Sequence, residues 1–161
     1  MSVKHIFLSA ASIIKIFIIS FLFITNPKAQ EDNINYYSMD EGVLSIMYHR
    51  FDEHEYPSTN IQMDVFIKHI QLIKDSNYEF IHPKDFQENF NKPKNKKKIL
   101  LTVDDAFKSF YEVAWPYLKK NKIPFILFVS TEPVGKRGYM TWEQIKEIER
   151  NEFANIGHHS H

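Results

Sequence analysis

The 161-residue chain contains no cysteine, which excludes disulfides, thiolate-held zinc and a thiol nucleophile. It also lacks net charge, with Lys plus Arg and Asp plus Glu at 20 each. Nothing in that balance selects nucleic acid or a strongly anionic surface as a partner. Glycine is scarce, four in all, and Tyr48-His49-Arg50-Phe51 stands where a dinucleotide site would need a glycine-rich turn. What is present is a globular composition, 43% hydrophobic and 15% aromatic, at a length that suits one domain at most.

The longest apolar stretch lies near the N-terminus. Lys4 and His5 precede an apolar run from Ile6 to Ile24, densest from Ile16 to Ile24. That core has the length of a signal-peptide h-region and falls short of the ~20 residues of a spanning helix. Asn26, Pro27 and Lys28 break it, and Ala29-Gln30 offers a cleavage point. Residues 1–29 are therefore expected to be a signal peptide or an uncleaved anchor, in preference to a buried core helix. Residues 30–41 read as a polar linker. Export follows, to a periplasmic, extracellular or envelope-anchored location, with membrane contact only through this segment if it stays uncleaved.

From Gly42 the pattern alternates. Val43 to Tyr48 is a short apolar run of the kind buried on both faces of a sheet. Phe66, Ile67, Ile70 and Ile73 recur at helical spacing within 64–76, and Tyr78 to Ile81 is a second strand. Pro83 opens a helix with Phe86 and Phe90 on one face. Residues 91–98 form a basic loop, read as a solvated connection and not as a site for an acidic polymer. Ile99 to Val103 is a third strand. Residues 108–120 are helical with Phe110, Tyr111, Val113, Ala114, Tyr117 and Leu118 inward, and Pro116 kinks or restarts that helix. Phe125 to Val129 is a fourth strand. Thr141 and Gln144 form a capping box for a helix to about Asn151, and Phe153 to Ile156 is a short fifth strand. Alternation with short links predicts a parallel α/β sheet, as an open doubly wound sheet or as a barrel.

The residues able to do chemistry follow strands, where parallel α/β folds bind ligands. Asp104-Asp105 follows the third strand. Gly157-His158-His159-Ser160-His161 follows the fifth and holds three of the eight histidines. Adjacent carboxylates repel unless a positive charge sits nearby. A divalent metal on one would leave the other as a base, and carboxylate with imidazole suits zinc or another first-row metal. Taken alone the pair is a weak signal, since an aspartate there also caps a following helix. Tyr48-His49-Arg50 stands at the same mouth, either as a structural cluster or as a substrate contact. Trp142 reads as packing, with sugar stacking as the alternative.

Thr102-Val103-Asp104-Asp105 resembles the Thr-Phe-Asp-Asp motif of the polysaccharide deacetylase (NodB-type) family, with Val103 for Phe. The run starting at His159 is similar to the family's His-Ser/Thr-x-x-x-His motif. Ile123-Pro124-Phe125 with Phe128-Val129, and Val43 to Phe51 with Tyr56-Pro57-Ser58-Thr59, resemble further family segments. The likeness covers residues 42–161. It implies a distorted (β/α) barrel, incomplete here because a closed barrel takes ~200 residues or more. It implies hydrolytic removal of N- or O-acetyl groups from a polysaccharide, with an acetylated amino-sugar polymer as the expected partner. Carried over by position, Asp104 is the general base, and Asp105 and His159 are metal ligands. His158 is a bystander and His161 a neighbour. The third ligand and the acid histidine fall after residue 161, so the chain is expected to be the N-terminal, inactive part of such an enzyme. A related hydrolase of a non-sugar amide and a non-catalytic carbohydrate-binding protein are the alternatives.

Overall fold

The computed structural model describes residues 42–90 and 96–161. The expected signal segment, the linker and most of the basic loop lie outside the described residues.

Five strands form one parallel sheet. They are β1 (Val43–Tyr48), β4 (Tyr78–Phe80), β5 (Lys97–Asp104), β6 (Phe125–Ser130) and β7 (Ala154–Ser160). The order is β1-β5-β6-β7, and β4 pairs with the first residues of β5. Because β1 runs along β5 from Lys98 to Val103, β4 and β6 must share the opposite edge of β5. Two further strands, β2 (Arg50–Phe51) and β3 (Asn60–Ile61), pair in a small parallel ribbon past the end of β1.

Helix α1 (Met63–Asp75) buries Phe66, Ile70 and Ile73, one stripe of a 3.6-residue repeat. Ile67, expected on that stripe, lies on its flank and is 39% exposed. The start of α1 is held by Asp52, whose carboxylate accepts the Met63 amide at 2.7 Å. Pro83 opens a 3₁₀ turn that leads into the five-residue α2 (Phe86–Phe90), where Phe86 and Phe90 meet at 5.5 Å between ring centroids. The Thr141–Gln144 capping box forms in both directions at the start of α4 (Trp142–Glu149).

The segment expected to be one helix over 108–120 is a π-helical turn, Phe110–Ala114, followed by α3 (Trp115–Asn121). Pro116 has no N–H and its ring crowds the preceding turn. The chain widens before it, so that the Trp115 amide donates to the Phe110 carbonyl. The wider turn also swings Trp115 inward, to 3% exposure.

Alternation along the strands separates two faces. Leu101, Val103, Phe125, Leu127 and Val129 face the helices and join a core with Phe51, Phe66, Phe110 and Trp115. Edge-to-face contacts lock it, Phe51 on Phe66 at 5.1 Å and Phe110 on Phe125 at 5.4 Å. The register carries Met47, Thr102, Ile126 and Asn155 along one row of the other face, and Asp104, Phe128 and Gly157 along the next. That face has less cover. The expectation that β1 is buried on both faces is therefore wrong: β1 is an edge strand, with Leu44 52% and Met47 58% exposed. β7 is longer than expected, so that His158 and His159 lie inside a strand and not in a loop beyond it.

Candidate active site

Asp104 is the last residue of β5, one position past Val103 on the helix side, and so belongs to the opposite face. It is buried. Its Oδ1 has no hydrogen-bond partner among the described residues, and its Oδ2 lies 3.5 Å from His159 Nε2. Loss of solvent pushes its carboxyl above the usual carboxylate range, and the negative Asp105 adds to that. His49 and His159 pull it the other way without overcoming the burial.

The backbone then turns sharply. Asp105 and Ala106 are both left-handed, at φ 68° and 58°, a conformation costing roughly 1–2 kcal/mol for a residue with a Cβ. The turn is held from outside. The Met140 amide donates to the Ala106 carbonyl at 2.9 Å, the Lys108 amide to the Gly138 carbonyl at 2.9 Å, and the Ala106 side chain is fully buried. Strain of this kind persists only where its surroundings enforce it, and it gathers at functional sites. Here it leaves the Asp105 carboxylate at β6, where Ser130 Oγ donates to Oδ1 at 2.8 Å.

His159 arrives from β7 by a β-bulge. Val129 pairs with His158 and Ser130 with Ser160, so His159 is the extra residue in the ladder. Bulges re-aim side chains. This one places His159 Nδ1 4.0 Å from Asp105 Oδ1 while Nε2 faces Asp104. Ser160 Oγ bridges toward Ser130 Oγ at 3.1 Å and His159 Nδ1 at 3.3 Å.

Asp104, Asp105 and His159 are thus brought together. His158 lines a separate shallow cavity with Trp142, whose ring is 47% exposed and not packed away as expected. His161 is turned to Thr131, with Nδ1 2.9 Å from the hydroxyl. Tyr48 enters the core and bonds His69 at 3.0 Å, whereas His49 acts electrostatically on Asp104. Ser130 was not anticipated, although a hydroxyl closing the apolar run FILFV is a legible signal.

No group of three His, Cys, Asp or Glu among the described residues is arranged to hold a metal. Two donors of suitable type are present: the Asp105 carboxylate, already oriented by Ser130, and the half-exposed His159 imidazole. Oxygen and nitrogen from such a pair fit two positions of a first-row metal site.

Residues 91–161 match the family model described as polysaccharide deacetylase. A poly-beta-1,6-N-acetyl-D-glucosamine N-deacetylase of Staphylococcus aureus is 26% identical over 127 residues, 77% of this chain and 44% of that protein. YxkH of Bacillus subtilis is 26% identical over 115 residues, 70% of this chain and 40% of that protein. The chain therefore spans less than half the length of these curated relatives. Among solved structures, IcaB from Ammonifex degensii superposes with a TM-score of 0.66 at 30% identity, over 74% of this chain and 53% of that one. A de-N-acetylase from Aggregatibacter actinomycetemcomitans shares the fold, with a TM-score of 0.60 at 23% identity, over 74% of this chain and 54% of that one. No barrel closes among the described residues, and the parallel α/β sheet is that of an incomplete barrel of this type. Over residues 91–161 the chain matches the polysaccharide deacetylase family model, and the relatives and solved structures it resembles include polysaccharide deacetylases.

Proposed function

We propose that the full-length protein to which these residues belong hydrolyses acetyl groups, acetamides above all, from an amino-sugar polymer with the help of a divalent metal, zinc or another first-row ion. The observation that carries this reading is the contact of one imidazole with two adjacent carboxylates, one buried with a free oxygen and the other oriented by a serine. The likeness to a poly-N-acetylglucosamine N-deacetylase supports the choice of substrate. The apolar run at 16–24 supports export to the compartment where such a polymer would be met.

Asp105 and His159 would hold the metal, which when bound acidifies water and polarises a carbonyl. Asp104 is separated from Asp105 by the left-handed turn and faces the other nitrogen of His159. Its raised proton affinity suits it to take a proton from the attacking water, because a base works best with a pKa close to the working pH. Water oxygen then bonds to the acetyl carbon, the carbon–nitrogen bond breaks, acetate leaves and the proton taken up by Asp104 passes to the sugar nitrogen. His159 Nε2, facing Asp104 Oδ2, stabilises the carboxylate before transfer and holds it in place.

The direct test is release of acetate, with matching appearance of free amines, from poly-N-acetylglucosamine incubated with the full-length protein and zinc. Loss of release with a chelator and return with metal are expected. No release at saturating zinc, or release indifferent to chelation, would defeat the proposal.

Ser130 separates metal holding from folding. Ser130→Ala removes the bond to Asp105 and should lower zinc affinity by roughly 10- to 100-fold, with only about 1 kcal/mol lost in stability. Ser130→Thr keeps the hydroxyl and should restore most of the affinity. Competition titration against a chromogenic chelator reads this, and unchanged affinity in Ser130→Ala would remove Ser130 from the site.

A further inference from the structure

Two backbone bonds tie the left-handed pair Asp105-Ala106 and the residues after it to the 138–140 loop. A second hold comes from the loop that follows β1. Phe107, next after the pair, is buried, and its ring meets two neighbours. Tyr139 lies against it with centroids 4.9 Å apart, where the two residues form an isolated antiparallel bridge. The Arg50 guanidinium carbon lies 3.5 Å from the Phe107 centroid and 3.9 Å from that of Tyr56. At those distances each face of a guanidinium has room for one ring, so Arg50 is stacked between Phe107 and Tyr56.

Arg50 is itself fixed. Its side chain is only 13% exposed, an unfavourable place for an unpaired charge, and Glu53 Oε2 accepts from its Nη1 at 2.7 Å. The Glu53 amide donates to Asn60 Oδ1 at 2.8 Å, and the Arg50 amide to the Thr59 carbonyl at 3.0 Å. The Phe51 amide donates to the buried Ser109 Oγ at 3.2 Å. Side chain and backbone of one loop therefore grip residues 107–109 of the other. A flat, delocalised cation serves two ring faces at once, which the compact charge of a lysine does not. Desolvation strengthens such contacts.

This geometry decides between the two readings of Arg50, a structural cluster or a substrate contact. Rings take both faces of the guanidinium and Glu53 takes one edge, which leaves little to offer a ligand. What Arg50 holds is the residue after the strained turn. A left-handed pair without glycine relaxes unless its surroundings oppose it, and this turn is what brings the Asp105 carboxylate to Ser130 Oγ and near His159 Nδ1. We propose that Arg50 is a positioning residue for Asp105: by holding Phe107 it keeps the Asp105-Ala106 pair left-handed, and so keeps the carboxylate aimed where a metal would be held. The hold on the turn rests on the geometry alone, and its service to a metal rests on the deacetylase reading.

The test compares Arg50→Lys with Ile73→Val in the full-length protein. The first keeps a charge for Glu53 and loses the flat stack. The second trims a buried residue of α1 that lies outside the main core cluster. Hydrogen exchange in the metal-free proteins reads the turn without reference to activity. In Arg50→Lys the Met140 and Lys108 amides should exchange roughly 10-fold faster, the scale of one desolvated cation–π contact, while amides inside β5 and β6 keep the parent rate. Zinc affinity, read by competition titration, should fall by roughly 10- to 100-fold, as when the outer support of a ligand is lost. Ile73→Val should move neither. Unchanged turn amides in Arg50→Lys, acceleration spread evenly over β5 and β6, or faster turn amides with zinc affinity intact would each overturn the positioning role. A parent that binds no zinc, with the turn amides still faster in Arg50→Lys, would sink the metal reading and keep the hold of Arg50 on the turn.

Discussion

In the full-length enzyme, Asp104→Asn should lower acetate release by about two to four orders of magnitude, the usual weight of a general base, while zinc content stays close to that of the parent. Asp105→Asn should lose the zinc itself. The two side chains are neighbours in sequence, yet their surroundings differ. Asp104 is buried with one oxygen unpaired, and that burial raises the pKa of its carboxyl although His49 pulls it down. Asp105 is turned out of the strand by its left-handed backbone, bonded by Ser130 and placed beside His159 Nδ1. Elemental analysis of the two variants, set against their rates, checks the assignment. Equal zinc loss in both would mean that the base and ligand roles are wrongly divided.

The same burial has a consequence for stability. Asp104 in the metal-free fold has its carboxyl above the usual carboxylate range, so between the unfolded and the folded pKa the native state binds more protons than the unfolded state. Its contribution is then fully present below the unfolded carboxylate pKa and is lost as pH rises through the folded value. Metal-free Asp104→Asn is therefore expected to melt higher than the parent near neutrality, with the difference shrinking as pH falls into the carboxylate range. Taking the difference between parent and variant cancels the carboxylates whose pKa is lowered by partners, such as Glu132 beside Lys136. A difference that grows toward acid would show that Asp104 is not held against ionisation.

Much of this arrangement is legible in the residues alone, for a physical reason. Parallel strands put all their carboxyl ends at one edge, so Asp104-Asp105 after β5 and the histidines of β7 share that edge once the βα alternation is read correctly. Apolar periodicity likewise locates α1 and the buried faces of β5 and β6, because a period of 3.6 or 2 is a local property. What escapes is set by tertiary context. VLSIMY has the composition of a central strand but lies at an edge, since the order β1-β5-β6-β7 is not written in any one segment. The left-handed pair Asp105-Ala106 contains no glycine to announce it, and the 138–140 loop that enforces it lies more than thirty residues away. The bulge at His159 is invisible for the same reason. It exists only relative to Val129 and Ser130 on the neighbouring strand. Arg50 could not be assigned between structure and substrate contact because its two aromatic partners, Tyr56 and Phe107, come from different loops.

Gly157 supplies the second large expected effect. It pairs with Phe128 across β6 and β7, and a Cβ placed on it would lie 2.6 and 2.7 Å from two atoms of the Phe128 ring and 3.1 Å from Ile126 Cδ1. Gly157 is not among the glycines with positive φ, so its backbone suits any residue and the constraint is steric. Gly157→Val should therefore cost about 1–3 kcal/mol through overpacking, read as a shift in the denaturant midpoint at constant slope. The damage should extend to the site. The Phe128 ring lies in the same row as Asp104, and His159 follows Gly157 by two residues. Moving either the ring or β7 changes the approach of His159 to the two carboxylates, so zinc affinity should fall along with stability. A second substitution distinguishes this from a general weakening of the strand. Phe128→Ala removes the obstructing ring and should recover much of the stability lost in Gly157→Val, giving a favourable coupling between the two positions. Additive losses in the double variant would show that the close approach of Phe128 is not what requires glycine at this position.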